Sequence, residues 1–343
     1  MGLSREAPFF FKRKIPLYFF ALAIPLTTFF GYMFHPEQKH ILTESYSRSE
    51  CVTSMEQIRL QKLKFAQPLL LTDVKMEDAR FNSMKIAVNF YISSTVVSGK
   101  LTTASVYVRH LKDGAWMGIN EQEHYSPGSL LKVPLMIHYL KAAEKNPSLM
   151  KEKIFFQNHF TTPRLPIFTA IGLTPGTTYS VQELLRSMIV DSDNDATVLL
   201  DSYVNNKISD EVYENLGLDR PNPTEKDYPL TVQECARFFR VLFNATYLSP
   251  EMSDYALKLL AESTFKDGMV KKIDSSVTVS HKFAERGSGD IKEFHEVGIV
   301  YLKNDAYLIG VMTKGRELKE LTNIVSDISK IVYDEMQHAV SNF

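Results

Sequence analysis

From Glu77 onward the chain switches between helical and strand periodicity in an order that restricts the fold severely. Apolar residues recur at helical intervals up to about Val97, at Ala79, Met84, Ile86, Ala87 and Phe90. Two β-rich runs follow, SVYVRHL and AWMGI, separated by the hairpin signal Lys112-Asp113-Gly114. A long helix-rich middle comes next. Ser180 with Glu183 and Thr231 with Glu234 have capping-box spacing, and Ser249-Pro250 suits an N-cap followed by proline at the first helical position. Three strand-like runs then appear, VTVSHKF, EVGIVYLK and AYLIGVMTK, the last two joined at Asn304-Asp305. A helical pattern from Glu317 to about Val340 closes the chain. Strands at both ends of a helical block can share one sheet only if the block is an insertion. The expected class is therefore α/β in the α+β sense: an antiparallel sheet flanked by N- and C-terminal helices, with an all-helical lobe inserted between its strands.

The N-terminal region has a different character. Ile15 to Phe34 carries no charge, and about 20 helical residues span a hydrocarbon core of about 30 Å. Arg5, Lys12, Arg13 and Lys14 precede it, which places the N-terminus in the cytoplasm and everything after Phe34 outside, as a single-pass protein of the cell membrane. The competing readings are a cleaved signal peptide, for which GYMFHPE offers no small-residue cleavage site, and a buried core helix. Residues 35–75 are polar and mixed and read as a stalk, with VTSMEQIRLQKLKF as a short amphipathic helix. The expected organisation is thus a basic N-terminus over 1–14, an anchor over 15–34, a stalk over 35–75 and a single domain over 76–343. With 39 basic and 40 acidic residues there is no positive field to draw in nucleic acid. Of the two cysteines, Cys51 could pair with Cys235, but Cys235 has helical spacing in VQECARFFRVL and reads as a buried thiol.

Three short stretches carry chemistry. SPGSLLKVPLM, Ser126 to Met136, hands Ser129 from a Pro-Gly corner to a helix N-terminus, where developing negative charge is favoured. Lys132, three residues on, falls on the same face and can act as a base if it loses its proton. The S-x-x-K pattern also occurs at Ser148–Lys151 and Ser263–Lys266, so its companions decide. Ser192-Asp193-Asn194 offers a hydroxyl to relay a proton and an amide to hold a lysine or a carbonyl; the same residues could simply cap ATVLLDSYV. His281-Lys282-Phe283 lies on an expected strand, where a lysine is either a substrate-facing cation or solvated surface. Ser129 stands 63 positions before Ser192, which is itself 90 before Lys282.

In that order and spacing the chain resembles the penicillin-recognising serine enzymes, which carry S-x-x-K, S-D-N and K-T-G, and most of all class A β-lactamases. The resemblance runs from about Glu77 to the C-terminus, on SLLKVPLM, on GTTYSVQELLRSMIVDSDNDA, and on HKFAERGSG followed by GIVYLKNDAYLIGVMTKG. It implies Ser129 as the acylated nucleophile, Lys132 as its base, Ser192 as proton relay, Asn194 as a substrate-amide contact and Lys282 as the carboxylate-side cation. It implies an oxyanion hole from the backbone N–H groups of Ser129 and Glu285. Two departures stand out. Phe283 and Ala284 replace the usual hydroxyl residue and glycine, which puts Phe283 where substrate binding needs a donor. No E-x-x-L-N motif occurs, leaving Glu225 in DRPNPTEKDY as the candidate deacylation base. The resemblance implies a β-lactam or a peptidoglycan peptide as substrate and no cofactor. Nine histidines at no metal-binding spacing imply no metal. The expected function is β-lactam hydrolysis; the alternatives are a D,D-carboxypeptidase or transpeptidase and a non-catalytic binding or sensor domain of the same fold.

Overall fold

Five antiparallel strands in the order β4-β3-β11-β10-β9 form the central sheet of the computed structural model. They are β3 (Thr103–His110), β4 (Trp116–Ile119), β9 (Val279–Ser288), β10 (Ile291–Leu302) and β11 (Asp305–Gly315). The structure describes residues 55–60, 65–160, 168, 172–203, 209–219 and 228–341. The apolar span Ile15–Phe34, Cys51 and Glu225 lie outside the described residues. Among the described residues no helix is long and apolar enough to cross a membrane.

The sheet is built from both ends of the domain, as its sequence order requires, and side chains alternate between its faces. Val106, Val108, Ile309 and Val311 face one core, shared with α1 (Asn82–Val97) and α8 (Leu318–Ser341) through Met84, Val88, Ile92, Leu321, Val325 and Ile328. Tyr107, Leu308 and Met312 face the other. That second core joins the sheet to a helical lobe comprising α2 (Lys132–Lys145), α3 (Val181–Val190), α4 (Asn194–Tyr203), α5 (Ser209–Asn215), α6 (Val232–Phe243) and α7 (Pro250–Ala261). Three short two-stranded ribbons accompany the central sheet: β1 (Met55–Arg59) with β2 (Leu69–Val74), β5 (His124–Tyr125) with β8 (Leu230–Thr231), and β6 (Lys153–Phe156) with β7 (Thr177–Ser180).

Local rules explain the helix starts. Both expected capping boxes are present, with Ser180 and Thr231 accepting from the backbone of Glu183 and Glu234, whose carboxylates accept from the cap residues in return. Ser249 caps α7 ahead of Pro250. Ser180→Ala is expected to lower the unfolding free energy by about 1 kcal/mol in a urea titration, with the slope unchanged. An unaltered midpoint would mean that the box contributes nothing to the lobe.

Two expectations need correction. The stretch read as an amphipathic helix over residues 52–65 contains β1, which pairs antiparallel with β2. Its Glu, Gln and Arg favour helix on propensity, but pairing buries Ile58, Leu70 and Leu71 in the main core, and packing overrides propensity. The described residues of 55–74 therefore pack with the folded unit rather than forming a stalk. On α1 the buried stripe is Met84, Val88, Ile92 and Thr95, whereas Ile86 and Phe90, expected inside, are 70% and 77% exposed.

Candidate active site

Ser129 is delivered by a corner that only a small residue fits. Gly128 has φ +52°, and a Cβ there would lie 3.4 Å from the Ala284 methyl and 3.8 Å from the Glu285 carbonyl. The corner thus presses against β9, whose outer side has no partner strand in the sheet. One turn of 3-10 helix, Gly128–Leu131, leads into α2, and Ser129 is half-buried on it. This turn and β9 are in contact. Glu285 lies at the junction, its carbonyl against Gly128.

Lys132 opens α2 and is buried. Its Nζ donates to the Ser192 carbonyl at 2.6 Å, to Ser192 Oγ at 3.2 Å and to Asn194 Oδ1 at 2.7 Å. Ser192 sits between α3 and α4 with φ +56°, a left-handed conformation uncommon for a residue with a Cβ. The capping expected of this stretch falls to its neighbour: Asp193 Oδ1 accepts from the Ala196 N–H at 2.7 Å. Ser192 is left to face the lysines.

Lys282 reaches the same hydroxyl from β9, with Nζ donating to Ser192 Oγ at 2.7 Å and to the Phe283 carbonyl at 3.2 Å. Its side chain is fully buried, and burial, reinforced by the charge of Lys132, pushes its pKa well below the usual lysine value. Glu296 and Glu285 oppose that shift. Because both amines touch one oxygen, at 3.2 and 2.7 Å, they are at most about 6 Å apart, where two positive charges repel by about 3 kcal/mol at an effective dielectric near 20. The pair therefore titrates as a unit and resists carrying two protons. Ser192 Oγ accepts from both, so its own proton points elsewhere.

The structure thus gathers Lys132, Ser192, Asn194 and Lys282 around one hydroxyl, with the Ser129 turn against the same strand that carries Lys282. It separates Phe283 from them. Expected among the substrate contacts, Phe283 leaves β9 on the opposite face and is only 3% exposed. It stacks on Phe265 at 4.0 Å between centroids and packs edge-on against Phe168. The reason is the strand alternation itself: Lys282 and Ala284 take the lobe side, Phe283 the helix side. The rival S-x-x-K serines are elsewhere, Ser263 buried beside the Phe265 cluster and Ser148 on a surface turn bonded to Asn146.

Other contributors were not singled out in the sequence. Arg286, two residues beyond Ala284 and so on the lysine side of β9, donates from Nη1 to Ser126 Oγ at the start of the serine corner. The period-two count from Lys282 was the available signal. His295 is buried under the same corner. Its Nδ1 accepts from the Thr313 N–H at 3.2 Å, which fixes the proton on Nε2, and that nitrogen donates to the Ser126 carbonyl at 3.1 Å. On the far face, His281 Nδ1 and Glu296 Oε1 are 2.6 Å apart and fully buried. Glu296 Oε2 accepts from the Met269 N–H at 2.6 Å, in space that a Cβ on Gly268 would fill. Among the described residues no group of three His, Cys, Asp or Glu is placed to hold a metal ion.

The same architecture occurs in solved structures. The chain is similar to PBP-A, with 17% identity, 77% of this chain and 99% of that chain covered, and a TM-score of 0.63. It is similar to the TLA-3 extended-spectrum β-lactamase at 19% identity, covering 74% and 98% of the two chains with a TM-score of 0.64. A β-lactamase from Chitinophaga pinensis gives 18% identity, 74% and 100% coverage and a TM-score of 0.63. No curated protein sequence matches. The fold is that of a β-lactamase-like serine hydrolase. Residues 91–336 match the family described as the beta-lactamase enzyme family, and the chain belongs to it.

Proposed function

We propose that the protein forms an acyl-enzyme on Ser129 and hydrolyses the amide bond of β-lactams. The observation that carries this reading is the meeting of two buried amines on Ser192 Oγ, at 3.2 and 2.7 Å, beside the serine corner. With the pair resisting two protons, Lys132 takes the Ser129 proton and the alkoxide forms a bond to the substrate carbonyl carbon. Backbone N–H groups of Ser129 and Glu285 stabilise the oxyanion. The carbon–nitrogen bond then breaks as Ser192 passes its proton to the nitrogen, and the lysine pair returns a proton to Ser192. Water cleaves the ester, with Glu225 as the candidate base, and regenerates Ser129. Asn194, already bonded to Lys132, orients the substrate amide. Arg286 takes the substrate carboxylate that Phe283 cannot hydrogen-bond. In the cell, Ile15–Phe34 anchors this domain outside the membrane with the N-terminus in the cytoplasm.

The absence of an E-x-x-L-N motif favours one second reading, a penicillin-binding D,D-peptidase whose acyl-enzyme is long-lived. Intact-mass spectrometry of the full chain after a penicillin pulse and chase tests both. The expected result is one adduct per chain that decays to the unmodified mass within the chase. A stoichiometric adduct that persists replaces hydrolysis by the second reading. No adduct at all overturns both and leaves a binding domain of the same fold.

A further inference from the structure

Where α6 ends beside β2 and β3, the fold buries two guanidinium groups against a single carboxylate. Arg240 Nη1 donates to Asp73 Oδ1 at 2.5 Å and Arg109 Nη1 to the same oxygen at 3.3 Å. Both Nη2 groups donate to the Thr72 carbonyl at 3.0 Å. Arg109 is 6% exposed and Arg240 2%. Among the described residues, neither guanidinium has an ion pair with any other carboxylate. Guanidinium does not lose its proton in proteins, so one positive charge is left over, at a site where an unpaired buried charge is costly. The C-terminal end of α6 offsets at most about half of it. Burial and the neighbouring Arg109 accordingly pull the Arg240 pKa down, with Asp73 opposing.

These groups line a cavity of about 240 Å³, together with Asn244 and Thr246. At about 30 Å³ per water that is room for about eight waters, enough for a small ion with part of its hydration. Among the described residues, Thr246 Oγ1 is buried on the cavity wall without a hydrogen-bond partner. A hydroxyl in that position has a proton to give and nothing in the protein to receive it. Surplus positive charge and an idle donor call for the same thing, an acceptor that is negatively charged.

We propose that this cavity binds a small oxyanion, a carboxylate or a phosphate, held by Arg109 and Arg240 and by the Thr246 hydroxyl. It is separate from the serine chemistry and ties the β1–β2 ribbon to the rest of the domain through the arginines that already grip Thr72 and Asp73.

Thermal unfolding of the full chain, with inorganic phosphate or acetate titrated against chloride at constant ionic strength, tests this. The expected result is a melting temperature that rises with the logarithm of the concentration of one of the two anions beyond the chloride control. Whichever of phosphate and acetate acts at lower concentration identifies the source. In Thr246→Val the apparent affinity is expected to fall about tenfold with the unliganded melting temperature little changed. In Asp73→Asn, which removes the competing carboxylate, affinity is expected to rise; a variant that folds only with the anion present supports the site equally. Identical shifts for phosphate, acetate and chloride overturn the proposal. So does an anion effect that neither Thr246→Val nor Asp73→Asn alters.

Discussion

Ser129→Ala is expected to abolish the penicillin adduct outright, with residual acylation at least about 10⁴-fold slower than in the unaltered protein. The chemical reason is narrow: the substitution removes the oxygen that forms the ester and leaves the lysine pair, Asn194 and the β9 edge in place. Ser129 is half-buried on a 3-10 turn that is held by Gly128 against Ala284 and by neighbours that the substitution does not touch. The unfolding free energy should change by no more than about 0.5 kcal/mol, as for a substitution away from core and network positions. Peptide mapping of the adduct is the companion measurement. An adduct of unchanged mass surviving in Ser129→Ala, and mapping to Ser192 or Ser263, would remove Ser129 from the mechanism.

Lys282→Met is expected to move stability and activity in opposite directions. The fully buried amine is held well below its ordinary pKa by burial first and by Lys132 second. The sign follows from proton counts. Between the folded pKa and the unfolded value near 10.5 the unfolded chain binds more protons than the native one, so the stability linked to this group rises with pH across that window and is lowest below it. A methionine of similar length keeps the packing and removes that penalty, so the variant should be more stable at pH 7, by about 1 kcal/mol or more. Its advantage should shrink as the pH approaches about 10. Acylation by penicillin should fall about 100-fold or more, because Ser192 loses the partner that restores its proton. Equal or lower stability at pH 7 in chemical denaturation would show that Lys282 is held by compensating charge rather than against its desolvation.

The element order was legible because it rests on long periodic segments. Both capping boxes, the long C-terminal helix and the strands bearing Lys282 emerge where the pattern puts them. The convergence of Lys132, Ser192, Asn194 and Lys282 was legible only through motif order, since nothing local to Ser192 distinguishes a relay from a cap. What the sequence lacked was facing. The β1 segment is written in helix-favouring residues, and its pairing partner lies beyond an intervening stretch, so the ribbon depends on contacts that no local pattern encodes. Phe283 was misassigned because a motif position was followed without counting strand alternation. Arg286 is not legible because its role depends on Ser126, 160 residues away along the chain.

Folding β1 and β2 into the domain makes residue 75 the wrong place to cut the chain. Thr72 and Asp73 hold the two buried arginines, and Leu70 and Leu71 fill the main core, so a fragment starting after them lacks part of its own interior.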